Sequence, residues 1–518
     1  LYPTLIISFI IFTLIIKSKI IWNWIDLQIM IFFEPIFYMD EQRASAINLK
    51  IISNEWIKPD KNELESELKI QALLPLEGWL SNYPINYSLF FNYKIEKDKL
   101  MKSFKILLQR IPIIGGIYCK YNESLIGVDY RDPKIEFIYG FTSDIPSTDY
   151  KDFNNDNWFM KYTNGCSTML PYPKGKPVFK VTLIHFNNNN NDIHTLLVIG
   201  CTHGLCDATG FWYLLDCLSK EIKGESWETP VFNRDKLLIK DNELKYFNSN
   251  HTILNKHVGN TLHVEGWWHN SIWPPRHWVP WNCQFTKTEI NNLKTHILNN
   301  GKASKELKEI GRISSNDVIV SLFWKIRAIL NNKYSLNEPI ICTMVIDTRR
   351  WLPERFDHNN KAYFGNGLGF LLLHLKRKEL IEYDLSQIIL YIRKEIKKLN
   401  KNEFENDLHL YTHLTKNNID NLHWYQGRWC VNSNNYWYSR YIMDRDMMVS
   451  NLIRINTYSC DLGNGNTYKI KFNHMDEICC LGYLFVNNDK NKDLYDYYNA
   501  IPINDLKFYE NVNFKNPK

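Results

Sequence analysis

Residues 201–210 read CTHGLCDATG, following HTLLVIG at 194–200 and preceding FWYLLDCLSKEI at 211–222. The run before this decapeptide is apolar from Leu196 to Ile199, as in a strand covered on both faces. The run after it repeats its apolar residues at helical spacing. A strand therefore ends near Thr202, and a helix begins just after Ala208. His203 stands at the first loop position, aimed at whatever the strand end faces. Asp207 is either the helix N-cap or a charge buried beneath the loop. A neutral imidazole in that place can take a proton from a hydroxyl, amine or thiol, which is general-base work. A packed histidine beside an N-capping aspartate gives the same pattern, because H-x-x-x-D is loose.

Outward from this point the chain reads as a mixed α/β protein. INLKIIS, YSLFFNYKI, KIEFIYGF and VFKVTLIHF read as strands. KLMKSFKILLQRI, SNDVIVSLFWKIRAIL and LSQIILYIRKEIKKL show helical periodicity. The asparagine run 187–191 sits between two strands as a hairpin loop. With 518 residues, two domains are expected. We place them at 46–225 and 261–518, joined by a charged, weakly periodic crossover at 226–260.

Composition removes several classes of function. Hydrophobic residues at 45% and charged residues at 23% describe a folded chain. A net charge of +6 is small for this length, and RKEIKKLNK at 393–401 continues an amphipathic helix, so nucleic-acid binding is not expected. Eleven cysteines with no CxxC pair argue against a disulfide framework and a zinc site, and for a reducing compartment. No metal is expected. There is no GxSxG elbow, Walker loop or dinucleotide fingerprint. GWWHNSIWPPRHWVPW at 266–281 reads as a packed interdomain loop, or as one wall of an aromatic acceptor site.

The amino end stands apart. LYPTLIISFIIFTLII is an uncharged run of 16 residues, short of the roughly 20 that span a bilayer, and Lys17 and Lys19 follow it. Residues 1–45 form a hydrophobic extension with three readings: a membrane anchor, a signal sequence, or sequence foreign to the native protein with Met39 as the start. The expected location is cytoplasmic, with membrane association only through residues 1–38.

HGLCDATGFWYLL resembles the HxxxDG segment of the BAHD acyl-CoA-dependent acyltransferases, with Ala208 where that family most often has glycine. Asp461-Leu-Gly-Asn-Gly465 resembles the second signature, DFGWG, with Leu462 and Asn464 replacing two aromatic residues. INLKIISNEWIKPDK at 47–61, RIPIIGG at 110–116, ISSNDVIVSLFWKIRA at 313–328, DTRRWLPERF at 347–356 and YFGNGLGF at 363–370 are similar to further family segments in the same order.

The resemblance implies an α/β fold of two chloramphenicol-acetyltransferase-like domains with a channel at their interface. It implies a monomer that uses acyl-CoA as co-substrate, binds no cofactor, and acylates a small alcohol or amine. His203 would be the general base. Ser450, eleven residues before Asp461, would donate to the tetrahedral oxyanion. Asp207 would turn from the reaction centre and pair with Arg349, with Arg350 as the alternative. Asp461, Gly463 and Gly465 would be structural. Ser314 and Ser315 would meet the pantetheine or phosphate portion of CoA, or simply cap a helix, and Gly365 and Asn366 would line the channel or shape a strand. Two other readings stand beside this one: a catalytically silent binding scaffold, and a condensation-type transferase using carrier-bound thioesters.

Overall fold

The computed structural model describes residues 49–60, 69–81, 84–121, 126–143, 145–146, 175–187, 192–243, 278–332, 334–356, 363–416, 447–455, 457–472, 481–487 and 494–511. The chain starts with β1 (Leu49–Ile57), β2 (Ile70–Ala72), the short helix α1 (Pro75–Leu80), β3 (Pro84–Phe91) and α2 (Lys97–Arg110). Then come β4 (Ile117–Lys120), β5 (Ile126–Asp129), β6 (Ile135–Thr142), β7 (Phe179–Asn187), β8 (Ile193–Thr202) and α3 (Ala208–Lys223). The second half contains β9 (Trp278–Thr286), α4 (Lys287–Asn300), α5 (Ser304–Ile310), α6 (Ser315–Leu330), β10 (Pro339–Asp347) and β11 (Leu368–Lys376). It closes with α7 (Arg377–Glu382), α8 (Leu385–Lys398), α9 (Lys401–Lys416), β12 (Met447–Asn451), β13 (Lys469–Phe472), β14 (Leu481–Asn487), β15 (Leu494–Pro502) and α10 (Ile503–Asn511).

Two six-stranded sheets organise these elements, in the orders β1-β6-β7-β8-β3-β13 and β11-β10-β12-β14-β15-β9. Each is mixed: β6 and β7 run parallel in the first, as do β10, β12 and β14 in the second. The α/β fold with two sheet-and-helix layers is the one expected. The unexpected feature is β13. It comes from beyond residue 460, yet it completes the first sheet beside β3, pairing Ile470 with Leu89. The carboxy-terminal half therefore contributes directly to the amino-terminal sheet.

Strand β8 lies inside the first sheet, between β7 and β3, and is buried from Thr195 to Thr202. Its continuous apolar run follows from cover on both faces. Helix α3 packs Phe211, Leu214, Leu215, Leu218 and Ile222 inward at helical spacing. Helix α8 buries Ile388, Ile389 and Ile392 while Lys397 and Lys398 occupy its last turn, where cations favour the helix dipole. The basic run is thus the solvated side of an amphipathic helix.

Trp281 packs against Tyr509 and Phe323, with ring centroids 4.8 and 5.7 Å away, in the core beside the second sheet. Residues 266–277 of the tryptophan-rich stretch and 244–260 of the expected crossover lie outside the described residues.

One expectation is corrected. Among the described residues no helix is long and apolar enough to cross a membrane, so association through a spanning helix is unsupported. The apolar run at 1–16 itself lies outside the described residues.

Candidate active site

The loop 203–207 emerges from β8 and turns directly into α3. Asp207 has extended backbone geometry at the N-cap, and its Oδ1 accepts the Gly210 N–H at 2.9 Å. That bond satisfies one of the free donors every helix start leaves. The same carboxylate is 2% exposed and forms a bidentate pair with Arg349: Nη1 donates to Oδ2 at 2.8 Å and Nη2 to Oδ1 at 3.0 Å. The Gly367 N–H donates to Oδ2 at 2.8 Å. Asp207 therefore has partners on every side and none of them is His203. N-cap and buried charge, posed as alternatives by the sequence, are both true.

Arg349 is equally buried. Burial alone would lower its pKa, but the Asp207 and Asp347 carboxylates outweigh that and raise it. Nη1 also reaches Asp347 Oδ1 at 3.2 Å, and Nη2 the Gly365 carbonyl at 2.9 Å. A charge at this depth needs such company. Arg350 instead lies over the Trp351 ring.

His203 is partly exposed, and Asn366 holds it twice. Asn366 Nδ2 donates to the His203 carbonyl at 2.8 Å and lies 3.5 Å from Glu77 Oε1. With two oxygens facing Nδ2, the amide orientation follows from the network, and Oδ1 is the end turned to the ring. Oδ1 sits 3.1 Å from His203 Nδ1. An oxygen there requires Nδ1 to carry the proton, which leaves Nε2 with its lone pair. Burial pushes the His203 pKa down, against smaller upward pulls from its own carbonyl, Asp207 and Asn366. The ring is therefore neutral at pH 7 and basic at Nε2.

Gly204 shows how tightly the loop is seated. A Cβ there would lie 2.7 Å from the Glu77 carbonyl oxygen and 2.9 Å from Ser81 Cα, both backbone. Beneath it, Thr202 Oγ1 donates to the Ser81 carbonyl at 3.0 Å and bonds to the Tyr118 hydroxyl.

The other candidate residues fall in separate places. Gly365 and Asn366, expected to line a channel or to shape a strand, both attach to the 203–207 loop: the Gly365 carbonyl accepts from Asp207 N at 3.3 Å. Ser314 caps α6 in a capping box with Asp317, its Oγ accepting Asp317 N at 3.1 Å. Ser315 Oγ accepts from Lys294 Nζ at 3.0 Å. Ser450 lies on β12 opposite Tyr483, and no hydrogen bond links it to His203 among the described residues. Tyr483 packs with Ala208 around Leu452, which brings the end of β12 to the start of α3.

Asp461 lies far from His203. Its Oδ1 accepts the Gly463 and Gly465 N–H groups at 2.9 and 3.0 Å, and its backbone bonds to Ser219 Oγ. Gly463 has φ 117°, which favours glycine. Ser219 is twelve residues beyond Asp207, about 18 Å along α3.

Two residues at the site escaped the sequence reading. Glu77 and Arg234, at 0% and 1% exposed, form a second buried ion pair, and Glu77 Oε1 accepts the Asn366 N–H at 3.2 Å. A lone carboxylate in ALLPLEGWL at 72–80 was the available signal, since a charge in an apolar stretch needs a partner. Among the described residues no group of three or more His, Cys, Asp or Glu is placed to hold a metal ion.

The fold is shared with several solved structures. F. graminearum TRI101 in complex with coenzyme A and T-2 mycotoxin is similar, with TM-score 0.65 and 13% identity over 86% of this chain and 97% of that one. F. sporotrichioides TRI101 with coenzyme A and T-2 gives 0.61 and 14% over 84% and 96%. Vinorine synthase gives 0.61 and 13% over 89% and 96%. No curated protein sequence matches the chain. The profile of the Transferase family matches residues 48–467, spanning HxxxD, Arg349 and the glycine-rich Asp461 loop. The chain belongs to the Transferase family, the BAHD-type acyltransferases that its two motifs resemble.

Proposed function

We propose that this protein, acting as a monomer, transfers an acyl group from acyl-CoA to a hydroxyl or amine of a small-molecule acceptor, with His203 as general base. The observation that carries this reading is the Asn366 amide, whose oxygen accepts the Nδ1–H hydrogen bond and leaves the Nε2 lone pair free. The acceptor O–H or N–H gives its proton to Nε2 as the heteroatom attacks the thioester carbonyl. The carbonyl π electrons move onto oxygen, forming a tetrahedral oxyanion. When the oxyanion collapses, the C–S bond breaks, and the departing CoA sulfur takes the proton from the His203 imidazolium. Catalysis then leaves His203 neutral, free CoA and an ester or amide.

Ser450 is our candidate donor to the oxyanion, from a strand that ends beside α3. Asp207 and Arg349 hold the loop and take no part in proton transfer. For the CoA phosphates we favour the amino end of α6, where Ser314 caps the helix and Ser315 meets Lys294. Burial and the nearby Arg312 both depress the Lys294 pKa, a strain that an added anion would relieve. A CoA-bound structure in which the phosphates lie away from these groups would remove that assignment.

The test is release of free CoA from a panel of acyl-CoAs mixed with pooled alcohols and amines, with His203→Ala as control. Release that requires both an acceptor and His203 establishes the transferase. A folded protein that binds CoA yet releases none in a His203-dependent way is a scaffold.

A further inference from the structure

Asp207 and Arg349 hold the carboxy-terminal end of the 203–207 loop, but its middle is held from elsewhere. Arg234 Nη2 donates to the Leu205 carbonyl, and Nη1 donates to the Phe232 carbonyl at 2.7 Å. Its Nε lies 3.3 and 3.2 Å from the two Glu77 oxygens. Glu77 Oε2 accepts the Leu74 N–H at 3.0 Å at the start of α1. Oε1 accepts the Asn366 N–H at 3.2 Å and faces Nδ2 of the same residue at 3.5 Å. The partners are far apart in the chain, 157 residues between Glu77 and Arg234 and 289 between Glu77 and Asn366.

An ion pair buried this completely is poor value as a simple stabiliser, because apolar side chains of like size do as well. Its chemistry does something apolar groups cannot. A carboxylate only accepts hydrogen bonds, so it repels the oxygen end of the Asn366 amide and attracts the nitrogen end. That choice turns Oδ1 towards His203 Nδ1 and thereby selects the tautomer with Nε2 free. A glutamine at position 77 has a donor end of its own, which removes this discrimination.

We propose that Glu77 and Arg234 are positioning residues for His203: the carboxylate sets the sense of the Asn366 amide, and the guanidinium pins the Leu205 carbonyl. The proposal rests on the reading of His203 as the base. It concerns how the base is prepared, and neither residue touches the substrate.

The experiment compares Glu77→Gln, Arg234→Lys and His203→Ala in the full chain. For each variant kcat, the KM for acyl-CoA and the pH profile of kcat/KM are measured on protein shown folded by near-UV circular dichroism and its melting temperature. We expect Glu77→Gln and Arg234→Lys to lose roughly ten- to a hundredfold in kcat, as for a misplaced catalytic group. The KM should be unchanged. The acid limb of kcat/KM should move to higher pH, because a loosened ring is better hydrated and more easily protonated. The charged groups around the ring are Asp207 on the same loop, paired with Arg349, and Glu77 beyond Asn366, paired with Arg234.

A lower melting temperature with wild-type kcat and an unmoved acid limb overturns the proposal, leaving a packing role. Arg234→Lys keeps the buried charge balanced and decides the matter if Glu77→Gln does not fold. Failure of both to fold assigns the pair to folding alone and also overturns it. Wild-type activity in His203→Ala sinks the base reading itself, whereas an inactive His203→Ala beside a fully active Glu77→Gln sinks only this proposal.

Discussion

Asn366 and His203 are joined in both directions, with Oδ1 3.1 Å from the ring Nδ1 and Nδ2 2.8 Å from the His203 carbonyl. One side chain therefore fixes both where the loop lies and which ring nitrogen is basic. Replacing it with alanine removes both effects. Asn366→Ala is expected to lower kcat by about a hundredfold with little change in the acyl-CoA KM. A kcat within a few-fold of wild type would show that the ring needs no such support.

The pH dependence follows from the same ring. Burial holds the His203 pKa below its ordinary value, and the neutral form is the active one. The acid limb of kcat/KM in the free enzyme should then lie below about 6.5, the value for an exposed imidazole. The sign is the same for stability. An unfolded histidine binds a proton more readily than this one, so the contribution of neutral His203 is complete above the unfolded pKa and is lost as pH falls towards the folded one. Asn366→Asp would reverse the local field and move the acid limb upward. An acid limb above 6.5 in the wild type contradicts this account.

The Asp207–Arg349 pair is nearly inaccessible to water on both sides. Asp207→Asn leaves a buried guanidinium short of its counter-charge and should cost about 3–5 kcal/mol of unfolding free energy, read by chemical denaturation. Activity should be lost with it, because the loop bearing His203 ends on this anchor. A loss below 1 kcal/mol would mean that water reaches the pair.

Two glycines separate fold strain from site strain. Gly204→Ala puts a Cβ 2.7 Å from backbone oxygen under the His203 loop, and should lower both stability and kcat. Gly463→Ala strains a residue at φ 117° in the Asp461 loop, costing on the order of 1–3 kcal/mol. Beside the far end of α3, it should leave kcat per folded molecule intact. Equal losses of kcat in the two variants would show that the Asp461 loop communicates with the site.

Ser450→Ala addresses the oxyanion. Removal of one such donor costs about a hundredfold or more in kcat in comparable sites. The same loss is expected here, with the acyl-CoA KM preserved. A loss under threefold would direct attention to other donors at the end of β12.

Much of this protein is written in short-range patterns. A continuous apolar run located β8, and period-3.6 repeats located α2, α3, α6 and α8, to within a few residues of their observed ends, because each element buries one face or both along its own length. The decapeptide at 201–210 likewise determined that a histidine follows a buried strand just before a helix, since both statements concern neighbours in the chain, and left Asp207 open as cap or buried charge. Arg349 was identified as the partner of Asp207 through the family resemblance.

Tertiary structure alone decided the rest. With 62 basic and 56 acidic residues, nothing local says that Glu77 meets Arg234, or that Asn366 faces His203 across 163 positions. Nor does the tetrapeptide Lys469–Phe472 announce that it completes the sheet of the other half. Such pairings are chosen when two packed halves close on each other and every buried polar group must find a partner within hydrogen-bond reach. The sequence determined which residues were available for the chemistry, and only the closed fold, by satisfying those groups together, decided which nitrogen of His203 is left to do it.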